Sequence, residues 1–484
     1  MPLKTTKQIP TISDAIPRSV QVELEQGAES QSQTPTVVQR KESETTGSLE
    51  DYQLTRDRTR REIRAPEKFG FADYTAYALS VTDEVDNTVP KSYQEAINGK
   101  DGKKWLNDPD KVCLLQKSLY GLKQAPRQWN LRFNETMEKV GYTRSNYGCC
   151  VYTNEHLYLL LYVDDILIVG QDITEIDKLK AKLNAEFDMK DLGEAKKILG
   201  IDIQRQRPNT ITLSQKEYLE KVIEKYGMSD SKPVQTPLAP HFKLTKDQSP
   251  TIDEERAFMD TIPYANGVGI LMYAMVCTRP DLAYSLSVVS RFIGDPGQEH
   301  WSALKWILRC VKGSLDIGLT FGNKSNSQEE LTGFVDSDYA GSIDTRKSLT
   351  GYAFTVLGGC VSWKSNLQKV VALSSTEVEY MAATEAVKEA IWLKGLTKEL
   401  GFNTDDVTVY CDNQSALHLM KNPMFHERSK HIDIKLHFIR YVVARKEVTM
   451  KKINTAHNPA DMLTKCVTQA KFRHCLNLLN VNGY

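Results

Sequence analysis

The stretch Leu157-Tyr-Leu-Leu-Leu-Tyr-Val-Asp-Asp-Ile-Leu-Ile-Val-Gly170 constrains this chain more than any other, because two apolar runs flank a single break at Asp164-Asp165. Leu, Tyr, Ile and Val on both sides of a polar tip describe a β-hairpin, its arms at least partly buried on both faces and its turn formed by the acids. Two unit charges about 4 Å apart repel by roughly 4 kcal/mol at an effective dielectric near 20, so a fold that holds them together normally supplies a cation. Mg²⁺ is the usual one, since oxygen ligands on a rigid hairpin leave positions for phosphate oxygens. The plain alternative is a solvated turn, which an Asp-Asp pair forms more often.

A chain of 484 residues has room for roughly two to four domains. Lys plus Arg and Asp plus Glu number 62 each, so the average charge predicts no partner, and a nucleic-acid surface has to be a local basic groove. No apolar run approaches the 18 or so residues that span a bilayer, and the N-terminus lacks a hydrophobic signal core. An intracellular protein without a membrane partner is expected, in a cytoplasmic particle or the nucleus. Nine cysteines, with no Cys-x-x-Cys pair, fit reduced buried thiols better than a disulfide framework or a zinc site.

Residues 1–82 are rich in Ser, Thr, Gln, Glu and Pro, with no aromatic residue before Tyr52, and read as a disordered linker. The basic run from Arg56 to Lys68 can touch a phosphate backbone, but a solvated linker is the better reading. Beyond the hairpin, Asp172-Ile-Thr-Glu175 is a capping box, and Ile173, Ile176, Leu179, Leu183 and Phe187 recur at helical spacing. A second hairpin is expected from Lys197–Ile203 and Thr210–Leu213, joined through Arg207-Pro-Asn209, with Ser214-Gln-Lys-Glu217 capping a helix that stops at Gly227. Residues 229–260 read as a loop, and Tyr264 to Lys312 as helices whose apolar stripes are core.

The last third carries spaced acids. A strand running into Asp336, with Asp338 on the same face, is followed by strands at Gly351–Val356 and Cys360–Trp363. A helix from about Ser375 to Leu400 bears Glu377 and Glu379. Another strand, Val407-Thr-Val-Tyr-Cys-Asp412, ends in an acid ahead of a helix at Asn413. His457-Asn-Pro-Ala-Asp461 puts Pro459 at a helix start and Asp461 in its first turn.

Tyr162-Val163-Asp164-Asp165 between apolar strands resembles the palm hairpin of reverse transcriptases. Ser118-Leu-Tyr-Gly-Leu-Lys-Gln-Ala-Pro-Arg-Gln-Trp129 resembles the palm segment of copia-type retrotransposon polyproteins. Together with the C-terminal acids the resemblance covers about residues 85 to 470. It implies a multidomain α+β and α/β chain: disordered linker 1–82, truncated reverse transcriptase palm 83–245, helical thumb or connection 246–322, and a ribonuclease H-like mixed sheet with flanking helices, 331–470. Asp336, Glu379, Asp412 and Asp461 match the four metal-binding carboxylates of that family's ribonuclease H domain, with Glu377 a solvated neighbour. His457 resembles its mobile histidine; a structural loop histidine is the alternative. His431, in Lys430-His431-Ile-Asp433, recurs in the family without a settled role, and a helix cap is its plain reading.

The implied activity is Mg²⁺-dependent cleavage of RNA in an RNA-DNA hybrid, with RNA template and DNA as further partners. Arg346, Lys347, Lys364 and Lys369 are candidates for holding phosphates, although exposed lysines on strands usually serve solubility. The polymerase module departs from the family after Trp105. Only Leu106 to Ser118 stand where the fingers and a strand with another metal-binding Asp belong, and Asp108 and Asp110 fall in a turn signature ahead of Val112–Leu115. An inactive polymerase beside a competent nuclease is therefore expected. A chain with both activities and a non-enzymatic relic are the alternatives.

Overall fold

The computed structural model describes residues 125–482 apart from 207–209, 323–329, 403, 405 and 422–432. The N-terminal linker with its Arg56–Lys68 run, Trp105, Asp108, Asp110, the Val112–Leu115 segment, the Arg207–Asn209 turn and His431 lie outside the described residues.

Helix α1 (Ala125–Val140) opens the described chain and packs on an antiparallel sheet of β1 (Thr143–Arg144), β2 (Val151–Thr153), β3 (Leu157–Tyr162) and β4 (Asp165–Gly170), in that order. The hairpin is as expected: Tyr162 pairs with Asp165, leaving Val163 and Asp164 as the turn. Its burial is not. Period-two alternation places Leu157, Leu159 and Leu161 in the core with Phe133, Met137 and Tyr152, whereas Leu160, Tyr162 and Val169 are exposed. The physical reason is that β4 is the edge of this sheet, and among the described residues little covers the second face. Helix α2 (Ile173–Glu186) closes the buried face with Leu179, Leu183 and Phe187; Asp172 caps it by accepting the Thr174 N–H at 2.8 Å.

The expected second hairpin, β5 (Lys197–Ile198) with β6 (Ile201–Gln206) and β7 (Thr210–Ser214), forms and leads into α3 (Lys216–Lys225). The Ser214 cap does not form. Ser214 is held in β7, Gln215 sits at the cap without a side-chain capping bond, its side-chain carbonyl accepting the Thr278 hydroxyl at 2.8 Å, and Glu217 pairs with Lys197 instead of reaching back. The expected loop over 229–260 also needs correction, because α4 (Asp253–Asp260) lies within it, started by Asp253, Glu254 and Glu255 at its positive end. Then come α5 (Tyr264–Cys277), α6 (Ala283–Val289) and α7 (Gln298–Lys312); of the expected stripes, Leu282, Leu286, Val289, Phe292 and Leu304, Leu308, Val311 are buried in one cluster, while Trp301 is half-buried against it. Within it Arg279 is fully buried and forks onto Asp281 at 2.9 and 2.7 Å, with Ser314 completing the set. Strand β8 (Gly318–Gly322) adds to β7.

The third sheet takes β9 (Leu331–Ser337), β10 (Leu349–Val356) and β11 (Gly359–Leu367) as an antiparallel meander. Helix α8 (Ser375–Glu399) crosses over to β12 (Val407–Cys411), parallel to β9; α9 (Gln414–Lys421) and α10 (Asp433–Ala444) lead to β13 (Thr449–Lys452), parallel to β12. The sheet order is β11-β10-β9-β12-β13, mixed as expected. Val378, Ala382, Ala386 and Ala390 recur every fourth residue along α8, and their small size lets the helix lie close to the sheet. Its far end carries the first sheet: Trp392 Nε1 donates to Tyr147 O at 2.9 Å and the Tyr158 hydroxyl to Leu400 O at 2.7 Å. Finally α11 (Gln469–Leu478) returns to the helical cluster and β14 (Val481–Asn482) pairs with β8, giving the order β14-β8-β7-β6-β5.

Candidate active site

Asp336 lies in the last turn of pleat of β9, and Asp412 follows directly on β12. Because Cys411 pairs with Val335 in parallel register, the two acids emerge side by side at one end of the sheet. Glu379 comes from the first turns of α8, which starts over that end. Ser374 caps the helix by accepting the Glu377 N–H, and Glu377 Oε2 accepts the Leu373 N–H at 2.8 Å. Glu377 is therefore buried and structural, a correction to its expected solvation: the cap needs a carboxylate at that position and folds it inward.

Asp461 sits in a short turn, Pro459–Leu463, fixed by Asn458. The Asn458 amide donates to Val335 O at 3.0 Å and its carbonyl accepts the Ala460 N–H at 3.1 Å, which locks the turn onto β9. One carboxylate oxygen each from Asp336, Asp412 and Asp461 lies within 4.8 Å of the others, and Glu379, Cys411 and Asp412 form a second such group. The four expected acids thus converge, linked through Asp412. Asp336, Glu379 and Asp461 are buried, and Asp412 is partly open to solvent.

Burial, then the charge of Asp461, pushes the Asp336 carboxyl above the usual carboxylate range, against the pull of Lys465. Burial pushes Glu379 up too, helped by the charges of Asp336 and Asp412. Clustered buried acids of this kind are what a divalent cation neutralises, and oxygen donors from two strand ends, a helix start and a turn suit Mg²⁺. The donor set fits the expected metal.

Sequence reasoning missed the groups around the acids. The Thr464 hydroxyl donates to Asp336 Oδ2, and the Thr455 hydroxyl to Asp412 Oδ2 at 2.8 Å. Lys465 Nζ lies 2.9 Å from Asp461 Oδ1 and 3.3 Å from Asp336 Oδ2, while Lys471 Nζ lies 3.2 Å from Asp461 Oδ2. The spacing of Lys465 four residues after Asp461 was the available signal.

Asp338, expected on the strand face of Asp336, lies just beyond β9. Its Oδ1 accepts the Leu349 N–H, and burial raises its pKa to about 6. His457 is exposed, with Nδ1 3.1 Å from His474 Nε2, and belongs to neither acidic group. Of the four basic candidates, Lys347 donates to Lys369 O at 2.6 Å and Lys364 stands over the Tyr352 ring at 5.9 Å, so both have partners within the sheet and loops. Asp164 and Asp165 sit at the hairpin tip, exposed, with the Trp129 indole donating to Val163 O at 2.8 Å. Among the described residues, no group of three potential ligands includes either of them.

Comparison with known proteins places the chain among mobile elements. A family described as reverse transcriptase (RNA-dependent DNA polymerase) matches residues 93–240. The chain is similar to the retrovirus-related Pol polyprotein from transposon TNT 1-94 of Nicotiana tabacum, 52% identical over 77% of this chain and 28% of that protein. It is also similar to a transposon Ty5-1 protein of Saccharomyces cerevisiae, 33% identical over 58% of this chain and 91% of that protein. The chain spans about a quarter of the length of the first curated relatives it matches. Among solved structures, LC11-RNase H1, isolated from compost, is matched at 16% identity over 28% of this chain and 93% of that one, with a TM-score of 0.23, a superposition too loose to argue from.

Proposed function

Because this chain belongs to the copia-type retrotransposon Pol polyproteins, we propose that it is a polyprotein fragment whose C-terminal domain cleaves the RNA strand of an RNA-DNA hybrid, beside a reverse transcriptase remnant without polymerase activity. The observation that carries the reading is the convergence of Asp336, Glu379, Asp412 and Asp461 from two strand ends, a helix start and a turn. These four would hold divalent ions, Mg²⁺ by the hardness of the donors. When bound, such ions supply Lewis-acid chemistry for phosphodiester hydrolysis.

The remaining work falls to the chain itself. Asp412 is the open member of the set, so a scissile phosphate approaches from its side, and Thr455 fixes the orientation of its carboxylate. Glu379 keeps a proton more readily than an ordinary glutamate and has to release it before it can act as a ligand. Telling RNA from DNA requires contact with 2′-hydroxyls, so an RNA-DNA hybrid lying across this end of the sheet is the substrate class, with little sequence preference. The polymerase remnant is read as inactive because only Leu106 to Ser118 stand where the family carries the fingers and a strand with another metal-binding Asp, which leaves the two exposed acids of the hairpin tip without that further ligand. No helix among the described residues is long and apolar enough to cross a membrane, and an intracellular site of action, in a particle or the nucleus, belongs to the same proposal.

The test uses the full chain and a labelled RNA strand annealed to DNA. Mg²⁺-dependent cleavage is expected, with loss of roughly a hundredfold or more in Asp412→Asn and none left after chelation. A wild-type chain that leaves the hybrid intact in both Mg²⁺ and Mn²⁺ would sink the nuclease reading. Primer extension on a homopolymer template should give no product, and extension there would overturn the polymerase half.

A further inference from the structure

Two lysines enter the acidic centre, and they are held differently. Lys471 Nζ donates to Thr455 O and Ala456 O at 2.7 Å each, so main-chain carbonyls anchor it whatever Asp461 does. Among the described residues Lys465 Nζ has only carboxylates: Asp461 Oδ1 at 2.9 Å and Asp336 Oδ2 at 3.3 Å. Asp461 Oδ1 is buried, and the Lys465 ammonium 2.9 Å away supplies its counter-charge. The side chain of Lys465 is 43% exposed while those of Asp336 and Asp461 are 2% and 4% exposed, so it reaches in from solvent and can withdraw along the same path.

The position it takes is the one a cation would take. Asp336 and Asp461 are two of the three acids whose oxygens lie within 4.8 Å of one another. A divalent ion placed between them would stand within a few ångströms of the ammonium and repel it about twice as strongly as a second unit charge would. Both cannot stay.

We propose that Lys465 is a built-in counter-ion of the site, holding the cation position between Asp336 and Asp461 until a divalent metal displaces it outward. The inference rests on the reading that the four acids hold divalent ions. It gives Lys465 two opposed effects. In the metal-free protein it neutralises acids that would otherwise be buried and uncompensated, and keeps the turn carrying Asp461 docked on β9. Toward metal it is a competitor, so it weakens affinity and eases departure of the ion. Lys471, tied to its two carbonyls, stays in place.

Calorimetric titration of the full chain with Mg²⁺, for wild type, Lys465→Met and Asp412→Asn, tests this. Lys465→Met should bind Mg²⁺ roughly tenfold more tightly than wild type, a change of about 1.4 kcal/mol, and should melt at a lower temperature when metal-free. Asp412→Asn should bind more weakly. Acylation of wild-type lysines by an N-hydroxysuccinimide ester, read by mass spectrometry, decides the matter even if the methionine variant fails to fold. Labelling of Lys465 should rise severalfold on adding Mg²⁺ while that of Lys471 stays level. Equal or weaker Mg²⁺ binding by a folded Lys465→Met, or labelling of Lys465 unmoved by saturating Mg²⁺, overturns the counter-ion role and leaves the four-acid site standing. Absence of Mg²⁺ binding in both wild type and Lys465→Met overturns the metal site itself.

Discussion

Glu379 and Asp338 both favour their protonated forms in the folded chain, Asp338 with a pKa of about 6, and burial is the leading cause at each. An unfolded carboxyl titrates near pH 4. Between that value and the folded pKa the native state binds more protons than the unfolded one, so stability falls as pH rises, in contrast to a salt-bridged acid. The contribution is fully present below about pH 4 and is lost through about pH 6 for Asp338, and at higher pH for Glu379. Metal-free protein should therefore melt at a lower temperature at about pH 8 than at about pH 5, and saturating Mg²⁺ should flatten or reverse the trend. A metal-free melting temperature that climbs steadily over that interval would refute this account of the buried acids. The acids themselves were legible in the sequence because each sits where an apolar run stops or a helix begins. Their environment was not. Nothing local in the sequence says that Thr464 turns to Asp336, or that Glu377 is spent on the cap beneath Leu373 and buried.

At the scale of elements, the site depends on how closely the turn Pro459–Leu463 approaches β10. Gly351 pairs with Asp336 across the two strands, and a Cβ there would stand 2.6 Å from Thr464 Cγ2 and 3.0 Å from Leu463 Cβ. Only a glycine lets the turn lie flat on the strand. Gly351→Ala should lift the turn by a fraction of an ångström, costing about 1–3 kcal/mol of stability from overpacking and separating Asp461 from Asp336. Mg²⁺ affinity should fall roughly tenfold at a temperature where the variant remains folded, which titration against circular dichroism can show. Unchanged affinity would mean that the turn repacks without moving its acid. Periodicity revealed α2 and the helical stripes, since each buries one regular face, whereas β3 and β4 were announced by two apolar runs around a polar break and only β3 alternates cleanly between core and solvent. It failed where the deciding partner was remote: Ser214 looks like a cap only until β8 pairs alongside β7 and holds it in the sheet. Helix α4 was missed because eight largely polar residues show too short a stripe to register.

Over the whole molecule, the third sheet and the helical region share one apolar cluster, and that cluster runs on past residue 470, the expected end of the C-terminal domain. Phe472, Cys475, Leu476, Leu479 and Val481 are all buried, and they lie in the same apolar cluster as α5, α6 and α7. Strand β14 then pairs with β8, so the C-terminal end completes a sheet begun at β5. This pairing joins segments far apart in the chain, which is why no local pattern announced it. Full burial of one large apolar side chain contributes roughly 1.5–3 kcal/mol, so ending the chain after Val467 removes on the order of 10 kcal/mol. That is comparable with the entire stability of an ordinary domain. The truncated chain should therefore lose the cooperative thermal transition of the helical region and bind a hydrophobic dye. Its acids should also fail to bind Mg²⁺, although Asp336, Glu379, Asp412 and Asp461 are all retained, because the turn bearing Asp461 packs against α11. A truncated chain that still melted in one sharp step and bound Mg²⁺ as the full chain does would show that the third sheet stands without its C-terminal closure.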